Sequence, residues 1–164
     1  MYFQNFPKTY YSLDNLQSIQ VITDITRRID LVKEIKNNNS FYDPYDVIDG
    51  ETPEIVADKF YNDSELYWII LMANEMIDPR FDWPLSYVNL LNYVDNKYGT
   101  ANVYASHHYE NADGFIVNST EAGAVSVSNF DYESEVNENK RRIKVPKQQI
   151  VGELFTIFES LINK

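Results

Sequence analysis

The stretch DPYDVIDGETPEIVADKFYNDSELYWIILMANEMIDPRFDWPLS, running from Asp43 to Ser86, decides how this chain folds. Tyr45 to Ile48 reads as a short strand and Asp49-Gly50 as a turn. Thr52 then stands where a helix N-cap belongs, and Pro53 suits the first helical position, where its missing N–H leaves no hydrogen bond unmade. That helix should run to about Tyr61. Asn62, with Glu65 three residues on, has the spacing of a capping box and should open a second helix. This second helix should stop near Asp78-Pro79, because proline pushes the residue before it out of helical backbone. Within it Leu66, Ile69, Ile70, Ala73 and Ile77 form one stripe, while Trp68, Leu71 and Met72 make the opposite side apolar as well. A helix apolar nearly all round must be buried nearly all round. So short a module does not supply both covers, and the second is expected from the C-terminal region or from another chain.

The order strand, helix, helix resembles that of a LysM module. Around it GETPEIVADKFY (Gly50–Tyr61), LYWIILMANEMIDPRFDWPLS (Leu66–Ser86), KYG (Lys97–Gly99), HHYE (His107–Glu110) and YESEVNENKRRIKV (Tyr132–Val145) follow one another. This ordered set resembles the baseplate wedge protein 53 family of T-even-type contractile-tailed phages, and the resemblance extends from FPKTYY (Phe6–Tyr11) to the last helix. It implies an α+β fold with a LysM-like strand-helix-helix core, an extended N-terminal arm, and a C-terminal β-hairpin plus amphipathic helix. It also implies a structural subunit of the inner baseplate wedge that clamps neighbouring wedge proteins and helps join the wedges around the hub. The implied partners are other wedge proteins, a sheath-initiator-type subunit and hub proteins. The implied location is the virion tail, after assembly in the host cytoplasm. Neither an enzymatic activity nor a cofactor is implied.

The bulk properties bound the same reading. A chain of 164 residues, 44% of them hydrophobic, is long enough to bury a core. The formal charge of -11 argues against a nucleic-acid binder, since neutralising phosphates needs clustered cations and only KRRIK, Lys140 to Lys144, supplies a cluster. Cysteine is absent, which excludes disulfides and thiolate metal sites. The N-terminus, MYFQNFPKTYY, lacks a basic region followed by an apolar one, and no apolar run is long enough to span a bilayer, so no membrane role is expected. Thirteen Tyr and nine Phe can fill a core or supply contact surface at low entropic cost, and composition leaves that choice open.

Three regions follow: an arm over 1–42, the LysM-like module over 43–86, and a helix and strand region over 87–164. In the arm, Met1 to Tyr11 reads as extended and Leu16 to Ile25 as a strand or short helix. Ile25, Ile29, Val32 and Ile35 then recur at helical steps until Asn37 to Ser40 end the pattern. Ser86 can cap a helix with Tyr87, Leu91, Val94 and Tyr98 on one face and Gly99 as its stop. A hairpin should turn at Asn111 to Gly114 and return through Phe115 to Val117, and Val125 and Val127 suggest another half-buried strand. YESEVNENKRR suggests a brief helix. The last helix should begin at about Pro146, with Ile150, Leu154, Ile157 and Leu161 in one row and Val151, Phe155, Phe158 and Ile162 in the next. So wide a stripe demands a partner surface.

The candidate protein-interface residues are Trp68, Trp83, Arg141, Arg142, Leu154 and Phe158. Tryptophan and arginine combine large buried area with directional bonding, which is why they dominate interface energetics. Core packing is the simpler account of Trp68, and a salt bridge within YESEVNENKRR, to Glu133 or Glu135, competes with an acidic partner for Arg141 and Arg142. His107 and His108 are adjacent in an expected strand, so their side chains should point to opposite faces and share no metal. Glu75, Asp78 and Asp82 could be considered for glycoside hydrolysis, which needs an acid and a base across a cleft, but no spacing identifies one and no catalytic residue is assigned. LysM modules of secreted proteins bind N-acetylglucosamine polymers. Carbohydrate (peptidoglycan) binding is therefore the alternative reading, since a fold does not fix a function.

Overall fold

Thr52 has extended backbone, and its hydroxyl accepts the Ile55 N–H at 3.4 Å, so the helix that follows starts at Pro53 as its chemistry requires. The structure, a computed structural model, describes residues 6–13, 18–26 and 38–163. The helical spacing of Ile29, Val32 and Ile35 lies outside the described residues. Strands β1 (Lys8–Tyr11), β2 (Gln20–Thr23) and β3 (Tyr42–Asp46) come first, then helices α1 (Pro53–Tyr61), α2 (Tyr67–Ala73), α3 (Pro79–Asp82) and α4 (Tyr87–Tyr98). Strands β4 (Ser106–Glu110), β5 (Ile116–Val117) and β6 (Val125–Ser128) follow, then α5 (Asn129–Glu138), β7 (Arg142–Pro146) and α6 (Gln148–Ile162). The fold is of mixed helix and sheet, as expected of the α+β class. It divides into two compact units, one of Met1–Tyr45, Thr52–Pro79 and Lys144–Lys164, the other of Asp46–Glu51 and Arg80–Ile143.

In the first unit β1 and β2 form an antiparallel pair, with Lys8 opposite Thr23 and Tyr11 opposite Gln20. The segment read as strand or short helix is thus a strand over its second half. Strand β3 begins at Tyr42, earlier than the expected Tyr45, because Asn38 caps a 3-10 turn over Asn39–Phe41 that delivers the chain already extended. Asn62 closes α1 and does not open the next helix. Its backbone is left-handed (φ 55°, ψ 31°), a conformation that a short polar side chain tolerates. Asp63 does the capping instead, accepting the Glu65 N–H at 2.9 Å at the head of a 3-10 turn that leads into α2. Nor does α2 reach Asp78. It ends at Ala73, with Glu75 at φ 58° turning the chain away and Ile77 left exposed.

The core of this unit answers the sequence's demand for a second cover on α2. Trp68 and Ile69 are buried with Leu154, Phe158 and Ile162 of α6 and with Phe6, the Trp68 and Phe158 rings lying 4.5 Å apart. Burying one such side chain is worth roughly 1.5–3 kcal/mol, so three on one helix fix α6 firmly. The buried Tyr61 hydroxyl donates to the Pro146 carbonyl at 2.8 Å, and burial pushes its phenol well above the usual range. Asn74 acts as a clamp on Lys144. Its Oδ1 accepts the Lys144 N–H and its Nδ2 donates to the Lys144 carbonyl, both at 2.8 Å.

In the second unit Ser86 accepts the Asn89 N–H and α4 runs to Tyr98, where Gly99 at φ 85° stops it. Leu90 and Val94 of α4 are buried with Val103, while Leu91, Tyr98 and Phe130 pack on them half-buried and Tyr87 is exposed. Strands β5, β4 and β6 make an antiparallel sheet with β4 in the middle. Helix α5 starts ahead of YESEV, because Ser128 and Asp131 cap each other's backbone N–H groups. Buried Asn137 repeats the Asn74 device on Leu85, accepting its N–H at 2.7 Å and donating to its carbonyl at 2.9 Å. Strand β7 pairs with β3.

Candidate functional site

Of the six candidate interface residues, four are packed inside the chain. Trp68, Leu154 and Phe158 form the first core. Trp83 is buried in the second unit, its indole N–H donating to the Glu51 carbonyl at 2.8 Å.

The two arginines differ. Arg141 has a side chain only 19% exposed: its Nε donates to Glu138 at 2.7 Å, while the guanidinium also reaches the Val47 carbonyl at 3.1 Å and Asp49 at 3.3 Å. Asp49 in turn accepts the Tyr87 N–H, so this arginine ties a turn, a helix start and a helix end together. A salt bridge within YESEVNENKRR is thus present, but to Glu138 and not to the expected Glu133 or Glu135. Arg142, 67% exposed, lies on Asp46 at 2.9 Å. Such a surface pair contributes little to stability, and its guanidinium faces solvent.

The main charged centre went unassigned in the sequence. Glu133 is 5% exposed and accepts both the Lys97 ammonium at 2.6 Å and the Tyr98 hydroxyl at 2.8 Å. Burial pushes its carboxyl up, but those two hydrogen bonds and the Lys97 charge outweigh burial and hold it below the usual carboxylate range. Lys97 is raised for the complementary reason, the Glu133 hydrogen bond foremost. A signal existed: Phe130, Glu133 and Asn137 recur at steps of three and four, which puts two polar residues on the inward stripe of α5, where each must find partners.

The side chains of His107 and His108 do not point to opposite faces as expected. Ser106 pairs with Ser128 but His108 with Val127, so His107 is the extra residue of a β-bulge and the strict alternation of a strand is lost there. His107 Nδ1 and His108 Nδ1 lie 2.8 Å apart, and His108 Nε2 lies 2.7 Å from Glu110 Oε1. The His107 ring is stacked on Tyr132, with centroids at 4.0 Å. Among the described residues no three or more His, Cys, Asp or Glu side chains are grouped so as to hold a metal ion. As for the carboxylates, Glu75 takes the left-handed backbone that ends α2, and Asp82 is the last residue of α3.

These features define a small α+β protein whose buried polar groups pin its own backbone. No described helix is long and apolar enough to cross a membrane. A family model described as base plate wedge protein 53 matches residues 1–99, and the chain belongs to that family. Membership assigns it a structural role in a phage baseplate, among other baseplate components of the virion tail. A comparison with curated proteins finds no match.

Proposed function

We propose that this protein is an inner-wedge clamp: it grips neighbouring wedge proteins, a sheath-initiator-type subunit and hub proteins among its partners, and helps join the wedges around the hub. The observation that carries the reading is the apolar surface left exposed on the paired strands within the matched residues. Residues 1–99 include the β1–β2 hairpin, in which Tyr10 (79%), Leu13 (84%) and Val21 (62%) stand exposed. Tyr10 and Val21 stand opposite each other across the pair, and exposed apolar surface is a feature of association sites. The LysM-like core, on this reading, is β3, α1, α2 and β7, a strand-helix-helix-strand order in which the two strands pair. Its closing strand comes only after the second unit has been threaded through. Trp68, Leu154 and Phe158 serve association by fixing the module's shape, Trp83 does the same in the second unit, and Arg142 makes direct contact with an acidic partner. Arg141 supports that contact by holding the turn at Asp49.

Arg142→Glu tests the contact, because it breaks only a surface pair worth about 0–1 kcal/mol. The variant is expected to melt like the parent and to lose wedge assembly in a reconstitution with the other wedge proteins. Normal assembly yield would remove Arg142 from the interface. Sedimentation with purified peptidoglycan tests the carbohydrate alternative, and saturable micromolar binding, about -8 kcal/mol, would count against a role confined to assembly.

A further inference from the structure

Three aromatic rings from separate elements of the second unit meet at its surface. Phe130, the second residue of α5, packs half-buried on Leu90, Val94 and Val103. Tyr87, the first residue of α4, lies edge-on to it with centroids 5.9 Å apart, and Tyr104, between α4 and β4, lies 5.8 Å from it. The core accounts for Phe130, but Tyr87 is 55% exposed and Tyr104 is 69% exposed. Hydrogen bonds hold the backbone that carries these two tyrosines. The Asn129 N–H donates to the Ala105 carbonyl and the Phe130 N–H to the Val103 carbonyl, both at 3.0 Å, which fixes the chain on either side of Tyr104. Buried Asn129 adds a third bond, from its Nδ2 to the Asn102 carbonyl at 2.8 Å. The Tyr87 N–H donates to Asp49 at 3.0 Å. Two large rings are thus fixed in water, without the burial by which aromatic side chains usually stabilise a fold, and rigid aromatic anchors of this kind suit recognition.

We propose that Tyr87, Phe130 and Tyr104 form a docking surface for an arginine-bearing segment of a partner protein. Charge selects the occupant. The second unit carries twelve acidic residues against five basic ones, a formal charge of -7 out of the -11 of the whole chain. Its five cations are engaged elsewhere: Lys97 on Glu133, Arg141 on Glu138, Arg142 on Asp46, Lys140 on the Phe81 carbonyl and Arg80 over the Phe81 ring. Asp49 and Asp131 border the rings, the first bonded to the Tyr87 backbone and the second next to Phe130 in sequence. A cation for these rings therefore comes from outside the unit. The face of an aromatic ring attracts a cation, and a planar, weakly hydrated guanidinium stacks on it better than an ammonium does. Phe130 and Tyr104 lie beyond the matched residues 1–99, so the family match does not assign this surface. Its partner chemistry is also the opposite of the acidic contact proposed for Arg142.

Fluorescence anisotropy of a labelled peptide of alternating Arg and Gly, titrated with the full chain at about 0.15 M salt, tests this. Saturable binding is expected, weaker with a Lys-Gly peptide and absent with a Glu-Gly one. Tyr87→Ala and Tyr104→Ala remove exposed rings and leave the backbone bonds in place. Each is expected to melt like the parent and to weaken binding of the Arg-Gly peptide about tenfold, whereas Tyr104→Phe keeps the ring and should bind like the parent. Either alanine variant suffices should the other fail to fold, and NMR amide shifts of the unaltered chain on adding the peptide should centre on Tyr87, Tyr104 and Phe130. No saturable binding would overturn the proposal. So would equal affinity for the Lys-Gly and Arg-Gly peptides, unchanged affinity in a folded alanine variant, or amide shifts centred elsewhere, since the attraction would then be to net charge and not to these rings.

Discussion

Glu133 is where a single side chain ties the stability of this protein to acid. Its folded carboxyl is held below its ordinary value, so the unfolded chain takes up the proton first as pH falls. The stability it contributes is complete above the usual glutamate value of about 4.3 and is lost as pH drops through the lower folded value. Glu133→Gln is expected to cost about 1–3 kcal/mol at neutral pH, and to flatten the acid limb of a plot of unfolding free energy against pH. Urea titrations at several pH values check this, and an acid limb identical to the parent's would show that the charge at Glu133 is not what acid removes. Arg141 and Arg142 are neighbours with opposite sensitivities for a similar reason of environment. Arg141→Glu would set a carboxylate against Glu138, Asp49 and the Val47 carbonyl, so it is expected to lower the melting temperature, whereas Arg142→Glu changes little but the surface. Equal melting of the two variants would contradict the bonding of Arg141 described above.

At the scale of elements, α6 is the best test of packing. Leu154→Ala and Phe158→Ala each remove buried atoms from between α6 and Trp68, and each is expected to cost roughly 2–5 kcal/mol in denaturant unfolding, against about 1 kcal/mol for removing the Thr52 cap with Thr52→Ala. A loss below 1 kcal/mol at both core positions would mean that the helix is not seated as described. The elements legible in the sequence were those whose ends are set by local chemistry. Thr52-Pro53, Ser86 and Gly99 act through bonds and backbone angles of their own neighbourhood, and the helices they bound lie where the spacing placed them. The elements misread were those where neighbouring caps compete or a distant residue intervenes. Asn62 carries a capping side chain yet takes the left-handed stop, and α2 halts at Ala73, next to the Asn74 amide that engages the backbone of Lys144. The facing of His107 and His108 was illegible because a bulge is a property of a pair of strands, and one strand's alternation says nothing of its partner's register.

For the molecule as a whole, each unit happens to contain one of the two tryptophans, Trp68 in the first and Trp83 in the second. A chain ending before Gln148 is expected to show solvated, red-shifted emission from Trp68 when Trp83→Phe silences the other indole, because the aromatic cover from α6 is gone. Unchanged emission would mean that Trp68 is covered by something other than α6. The same dependence bears on how the protein comes off the ribosome. Trp68 and Ile69 are made well before their covering residues Leu154, Phe158 and Ile162. Until α6 has been made the nascent chain therefore carries an uncovered apolar helix, a surface suited to chaperone capture or to premature association. The docking of α6, and not the appearance of the module's first helices, is the event that makes this subunit fit to join an assembly.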